Sequence, residues 1–208
     1  MNDEFQSVVD PLIERLCKCV DRARSSSSRV SELRNEIKNE FRKAEHQLEG
    51  HPGWLYARYA LVAWIDSNLI HYQPEWRESP LEAELHGGGN AYTEFFRRAE
   101  QAYREGLLDA YEVFFICFMF GFRGVYENIS QVPSDLPDSE TKWQEIAIRR
   151  INRLAKQKNE QLSNWHELAK PVSVDRSALS GYRSMVNNLI FLACTIVAGL
   201  IFLLLYPR

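Results

Sequence analysis

Apolar residues return at three- and four-residue intervals through most of this chain. Phe5, Val8, Val9, Leu12, Ile13, Leu16 and Val20 form one such stripe, which predicts an amphipathic helix ended by the serine run Ser25 to Ser28. Val30, Leu33, Ile37, Phe41, Ala44 and Leu48 form a second stripe, with Glu and Lys on the opposite face and Gly50-His51-Pro52-Gly53 as its stop. A third helix is expected from Trp54 to about His71. Its stretch Tyr59 to Ile65 is apolar almost all round, which places it at the centre of a bundle.

After a loop around Gln73 to Ser79, Pro80 is placed to open a short helix through His86, which Gly87-Gly88-Gly89 terminates. Tyr92, Phe95, Phe96, Ala99 and Tyr103 define the expected buried face of the next helix. Leu107 to Phe120 gives a further, aromatic-rich helix ending at Gly121. Its run Phe114 to Phe120 is too short for a membrane span, and the flanking Asp109 and Glu112 favour a buried helix. Pro133, Ser134, Asp135, Pro137 and Asp138 form a polar break. A long charged helix carrying Trp143, Ile146, Ile151 and Leu154 is expected from about Ser139 to Leu162, and Ser163 to Arg183, with Pro171, reads as a juxtamembrane linker. The fold class is therefore all-α, with no repeat at a period of roughly 20–50 residues to suggest a solenoid.

The last apolar run differs in kind. From Leu189 to Tyr206 it is uncharged, without a polar stripe, and only Pro207 and Arg208 follow. At about 1.5 Å per residue, roughly 18 residues make a helix of about 27 Å, enough to cross the hydrocarbon layer of a bilayer. Leu189, Ile190, Phe191, Leu192, Ile196, Val197, Leu200, Ile201, Phe202, Leu203, Leu204, Leu205 and Tyr206 are its lipid-compatible residues. The start, Met-Asn-Asp-Glu-Phe-Gln, is acidic and has no apolar signal region, while Lys170, Arg176 and Arg183 precede the span. The expected arrangement is a tail-anchored, single-pass protein: a cytoplasmic helical domain over 1–162, a linker over 163–185, an anchor over 186–206 and a periplasmic C-terminus.

Charge narrows the function. The 208 residues carry 25 Lys and Arg against 28 Asp and Glu, a formal net charge of -3, with no basic cluster to mark a nucleic-acid partner. Cys17 and Cys19 make a C-x-C on a helix, Cys117 sits in an aromatic run and Cys194 in the anchor, so four free thiols are expected rather than a disulfide framework. His46, His51, His71, His86 and His166 include no H-E-x-x-H pair, and no phosphate loop or G-x-G-x-x-G occurs, so neither a metal nor a cofactor is expected. His86-Gly87-Gly88-Gly89 has the letters of a lipase-type oxyanion loop, but no G-x-S-x-G elbow accompanies it and a helix stop is the simpler reading. One polar residue stands out. Asp66 follows Trp64-Ile65 inside the apolar third helix, where a buried carboxylate needs hydrogen-bond partners or a cleft; a solvent-facing or helix-capping role is the alternative. Glu112, between Tyr111 and Val113, raises the same question.

The order of these segments carries a resemblance. Ala57 to Asp66, then Trp76 with Leu81-Glu82-Ala83-Glu84-Leu85-His86, then Phe95-Phe96, then Asp109 to Cys117 running into Gly121-Phe122-Arg123-Gly124-Val125-Tyr126, resemble the DotU/TssL (IcmH/DotU) family of inner-membrane subunits of bacterial type VI and type IVB secretion systems. The resemblance covers roughly Phe5 to Leu162. It implies a cytoplasmic domain of two packed helical bundles, no enzymatic activity, and a scaffold role in the inner membrane. The implied partners are a large TssM/IcmF-type membrane protein and the baseplate of the contractile tail, the latter recruited through a groove. Asp66, Ser67, Trp76, Glu82 and Glu112 are the groove candidates. Ser67 departs from the family's second acidic residue, and Val125 from a commonly basic position. Whether Trp76 and Arg77 form a contact loop or close the bundle stays open. So does a homodimer, since Ala193, Ala198 and Gly199 are small enough for close helix approach but are not spaced as G-x-x-x-G.

Two other classes remain at this point: a membrane-anchored hydrolase using His86, and a tail-anchored regulator that binds amphipathic helices in an apolar groove. Type IVB secretion is the nearer alternative to type VI.

Overall fold

The computed structural model describes residues 1–25, 29–88, 90–127 and 132–168. In chain order these form α1 (Asp3–Arg24), α2 (Val30–Gln47), α3 (Trp54–Tyr72), a 3-10 turn (Pro74–Glu78), α4 (Leu81–His86), α5 (Ala91–Arg104), α6 (Leu108–Met119), a second 3-10 turn (Gly124–Glu127) and α7 (Glu140–Leu168). No strand occurs among the described residues, so the all-helical expectation holds. The chain divides into two compact units, Met1–Glu160 and Gln161–Arg208. Of the second, only the continuation of α7 to Leu168 is described, and the expected anchor lies outside the described residues. Among those residues no helix is long and apolar enough to cross a membrane.

The first two helices pair antiparallel along their apolar stripes. Phe5, Val9, Leu12, Leu16, Cys19 and Val20 of α1 are buried, as are Leu33, Ile37, Phe41 and Ala44 of α2. Arg15 to Glu40 and Arg22 to Glu36, each 2.6 Å, bridge the rim. The half-exposed Arg22–Glu36 pair contributes at most about 1 kcal/mol, and Glu40 is buried beside the seam, so the apolar contacts hold most of the hairpin. Pro11 lies within α1, where it removes one backbone donor, and the helix continues through it on the strength of that seam.

The third helix is central, as its all-round apolar sequence requires. It packs against α1, α4, α5, α6 and the Pro74–Glu78 turn. Ala57, every residue from Tyr59 to Asp66, and Leu69 are buried on it. Around the far side an aromatic cluster joins α5, α6 and α7. Phe95 stacks on Phe122 at 4.1 Å, Phe96 meets Tyr126 at 4.8 Å and Trp143 at 5.2 Å edge-on, and Phe118 lies 4.7 Å from Trp143. Gly124 permits this closeness: a Cβ there meets the Tyr92 carbonyl oxygen at 2.6 Å and Phe122 at 2.8 Å, and its φ of +50° is left-handed. One continuous hydrophobic core links all these helices.

Three sequence expectations need correction. The segment Gln73 to Ser79 is not a plain loop: Pro74 starts a 3-10 turn that drives the Trp76 indole to full burial. Tyr92 does not lie on the buried face of α5. It is 46% exposed, because the first turn of that helix overhangs two cavities instead of the core. The last helix runs on to Leu168 instead of ending at Leu162, since no breaker precedes Pro171.

Candidate functional site

At the corner where α3, α4 and α5 meet, a cavity of about 160 Å³ is lined by Ala63, Asp66, Ser67, Ile70, Pro80, Glu82, Asn90, Ala91, Tyr92 and Phe122. Of the five groove candidates the structure brings Asp66, Ser67 and Glu82 together here. Trp76 stands behind Asp66 and has no exposed surface. Glu112 is elsewhere: it is not among the cavity-lining residues, and its carboxylate takes the Met1 ammonium at the start of α1.

The Asp66 carboxylate is almost fully occupied by the protein itself. Oδ1 accepts the Trp76 indole N–H at 2.7 Å and the Leu81 amide at 3.0 Å, and Oδ2 accepts the Glu82 amide at 2.7 Å. The two amides are the first donors of α4, whose N-cap is Pro80 and offers no side-chain acceptor. A helix start leaves its first N–H groups without intrahelical partners, and an acceptor there is favoured by the helix dipole as well. Asp66 therefore caps a helix, but one distant in sequence. Both alternatives raised by the sequence are realised at once: the residue is 4% exposed, and it caps.

Burial pushes the Asp66 carboxyl upward from its ordinary value. The Trp76 hydrogen bond, the two backbone amides and the charge of Arg34 pull the other way without cancelling it. Arg34 was not among the sequence candidates. From α2 it stacks its guanidinium on the Trp76 ring, 4.3 Å from the centroid, donates to the Ser79 carbonyl and pairs with Glu84 on α4. Lys38, one turn on, also pairs with Glu84. Nothing in the sequence separates Arg34 from an ordinary solvated charge, because its neighbours on α4 are distant in the chain.

Glu82 is different. It is only 6% exposed, and among the described residues its carboxylate accepts a single long hydrogen bond, 3.5 Å, from the Tyr59 hydroxyl. Burial, together with the nearby Glu82 charge, raises the Tyr59 phenol well above its ordinary value, so it stays protonated and a donor. No Lys, Arg or His lines the cavity.

The other sequence candidates have structural explanations. Gly87 ends α4 in the left-handed conformation, φ +84°, which is the helix stop the glycine run predicts. His86 packs edge-on against Tyr59 at 5.0 Å, and burial with the charges of Arg58 and Arg98 lowers its imidazole to about 4. Cys17, Cys19 and Cys117 are free thiols, and burial pushes the Cys117 thiol well up, away from reactivity.

The family model described as "Type VI secretion system protein DotU" matches residues 5–207. The chain belongs to the DotU family. That match also covers the apolar run at 189–206. The fold is similar to a solved structure, the cytoplasmic domain of TssL from Acinetobacter baumannii, with a TM-score of 0.54 and 24% identity, covering 71% of this chain and 98% of that one. No curated protein matches the chain significantly. Membership makes this DotU protein a component of type VI secretion, in a family known as structural components anchored in the inner membrane and not as enzymes.

Proposed function

We propose that this DotU protein is a non-enzymatic scaffold of the type VI membrane complex, held in the inner membrane by residues 186–206 with its helical domain in the cytoplasm. It binds a TssM/IcmF-type membrane protein and recruits baseplate components through the corner of α3, α4 and α5. The observation that carries this reading is the cavity there, a recess whose largely apolar walls hold two carboxylates and no cation, set in a family of secretion components. Confinement to the membrane plane raises the effective concentration of partners anchored alongside, so modest contacts suffice to assemble a large complex.

The test is purification of the full-length chain from detergent-solubilised native membranes, with every co-purifying protein identified by mass spectrometry. Recovery of a TssM/IcmF-type protein together with baseplate components is expected. A preparation that brings down neither removes the scaffold reading. Deleting residues 184–208 is expected to leave a folded domain that no longer supports secretion, and a truncated chain as active as the whole one removes the anchor from the account.

A further inference from the structure

The two carboxylates of the cavity are not equivalent. Asp66 has both oxygens engaged by donors of its own chain, three in all. Glu82 is nine-tenths buried and holds one long bond, yet it lines an open recess with no cation in the lining. A buried carboxylate in that condition is a strong acceptor lacking a strong donor, since hydrogen bonds to an ionised acceptor gain most when the donor is also charged.

We infer that Glu82 is the recognition carboxylate of this corner, that it takes a lysine side chain inserted by the docking protein, and that Asp66 is the positioning residue that holds Glu82 in place. The inference rests on the recruitment reading above. The recess suits lysine in shape and chemistry. Ala63, Ile70, Ala91 and Phe122 offer apolar walls for a four-carbon stem, and Ser67 and Asn90 add oxygen acceptors to the same lining for an ammonium with three donors. A guanidinium favours a carboxylate with both oxygens free for a paired contact, whereas one oxygen of Glu82 already faces Tyr59. Asp66 enters indirectly. Its Oδ2 binds the Glu82 amide, so it fixes the first turn of α4 and with it the direction of the Glu82 side chain.

The test compares wild type, Glu82→Gln and Asp66→Asn full-length chains in solubilised native membranes, measuring recovered baseplate proteins and hydrogen exchange at the Leu81 and Glu82 amides. Loss of one partner of a buried charge pair predicts that Glu82→Gln lowers recovery by at least about 30-fold with exchange at both amides unchanged. Asp66→Asn is expected to speed exchange at those amides and lower recovery together. Acetylating the lysines of the baseplate fraction before mixing is expected to abolish recovery, and reductive dimethylation, which keeps the charge, to reduce it less. Wild-type recovery that survives Glu82→Gln or lysine acetylation undiminished overturns the assignment. A wild-type chain that recovers a TssM/IcmF-type protein and no baseplate protein overturns instead the recruitment reading beneath it.

Discussion

Two regions of this domain are held together by different physics. The cluster of Phe95, Phe96, Phe118, Phe122, Tyr126 and Trp143 relies on buried area and ring contacts shared among many neighbours. The corner at Asp66 relies on one carboxylate, three donors and a stacked guanidinium. Loss of a ring from the first is spread over its neighbours. Loss of the carboxylate from the second strands polar groups that have no other partner, which is the costlier failure in a dry interior. The corner carrying the proposed contact is thus the less redundant of the two.

The sharpest way to break this comparison is Asp66→Ala. It leaves the Trp76 indole and the Leu81 and Glu82 amides unpaired, at about 1–3 kcal/mol each where water does not enter, so a loss of about 4 kcal/mol in urea unfolding of the chain shortened to residues 1–183 is expected. A loss no larger than that of Phe95→Leu, about 1–2 kcal/mol, ends the distinction. Within the aromatic region, Gly124→Ala is the exception to tolerance. Its Cβ contact with the Tyr92 carbonyl oxygen at 2.6 Å and the left-handed φ predict a cost of about 3 kcal/mol, read as a lowered melting temperature.

A smaller effect follows from His86. The imidazole is lowered in the folded state to about 4 from an ordinary 6.5, so the unfolded chain binds the extra proton first as pH falls. Stability contributed by this residue is fully present above about pH 6.5 and is lost between about 6.5 and 4; with allowance for its partial exposure the loss is about 1–2 kcal/mol. Urea midpoints for wild type and His86→Gln across that range check it: the variant is expected to show the shallower fall. Smallest is Arg34→Met, which removes the stack on Trp76 and the pair with Glu84 while keeping part of the stem's packing. About 1 kcal/mol is expected, and an effect equal to that of Asp66→Ala would mean the guanidinium, rather than the carboxylate, holds the corner.

Most of the helical framework could be read from the chain. The stripes of α1 and α2 and the all-round apolar α3 appear where their spacing puts them, because periodicity reports which face is buried. The 3-10 turn around Trp76 was not legible, since its five residues contain no full period and its burial depends on Arg34 and Asp66 from other helices. Tyr92 shows the complementary failure: it has the phase of a core residue, but nothing in α5 says that the neighbouring elements stop short of it.

Among the groove candidates the sequence marked Asp66 by the contrast between one carboxylate and the apolar helix that carries it. It did not separate Asp66 from Glu82. Which of two carboxylates is already satisfied depends on donors that lie 10, 15 and 16 residues from Asp66 and on a hydroxyl 23 residues from Glu82, and only the folded chain brings these together. The sequence by itself determined an all-helical domain with α3 at its centre and a charge inside it, because burial periodicity is written locally. Tertiary structure decided what that charge does, because hydrogen-bond satisfaction is a property of neighbours in space.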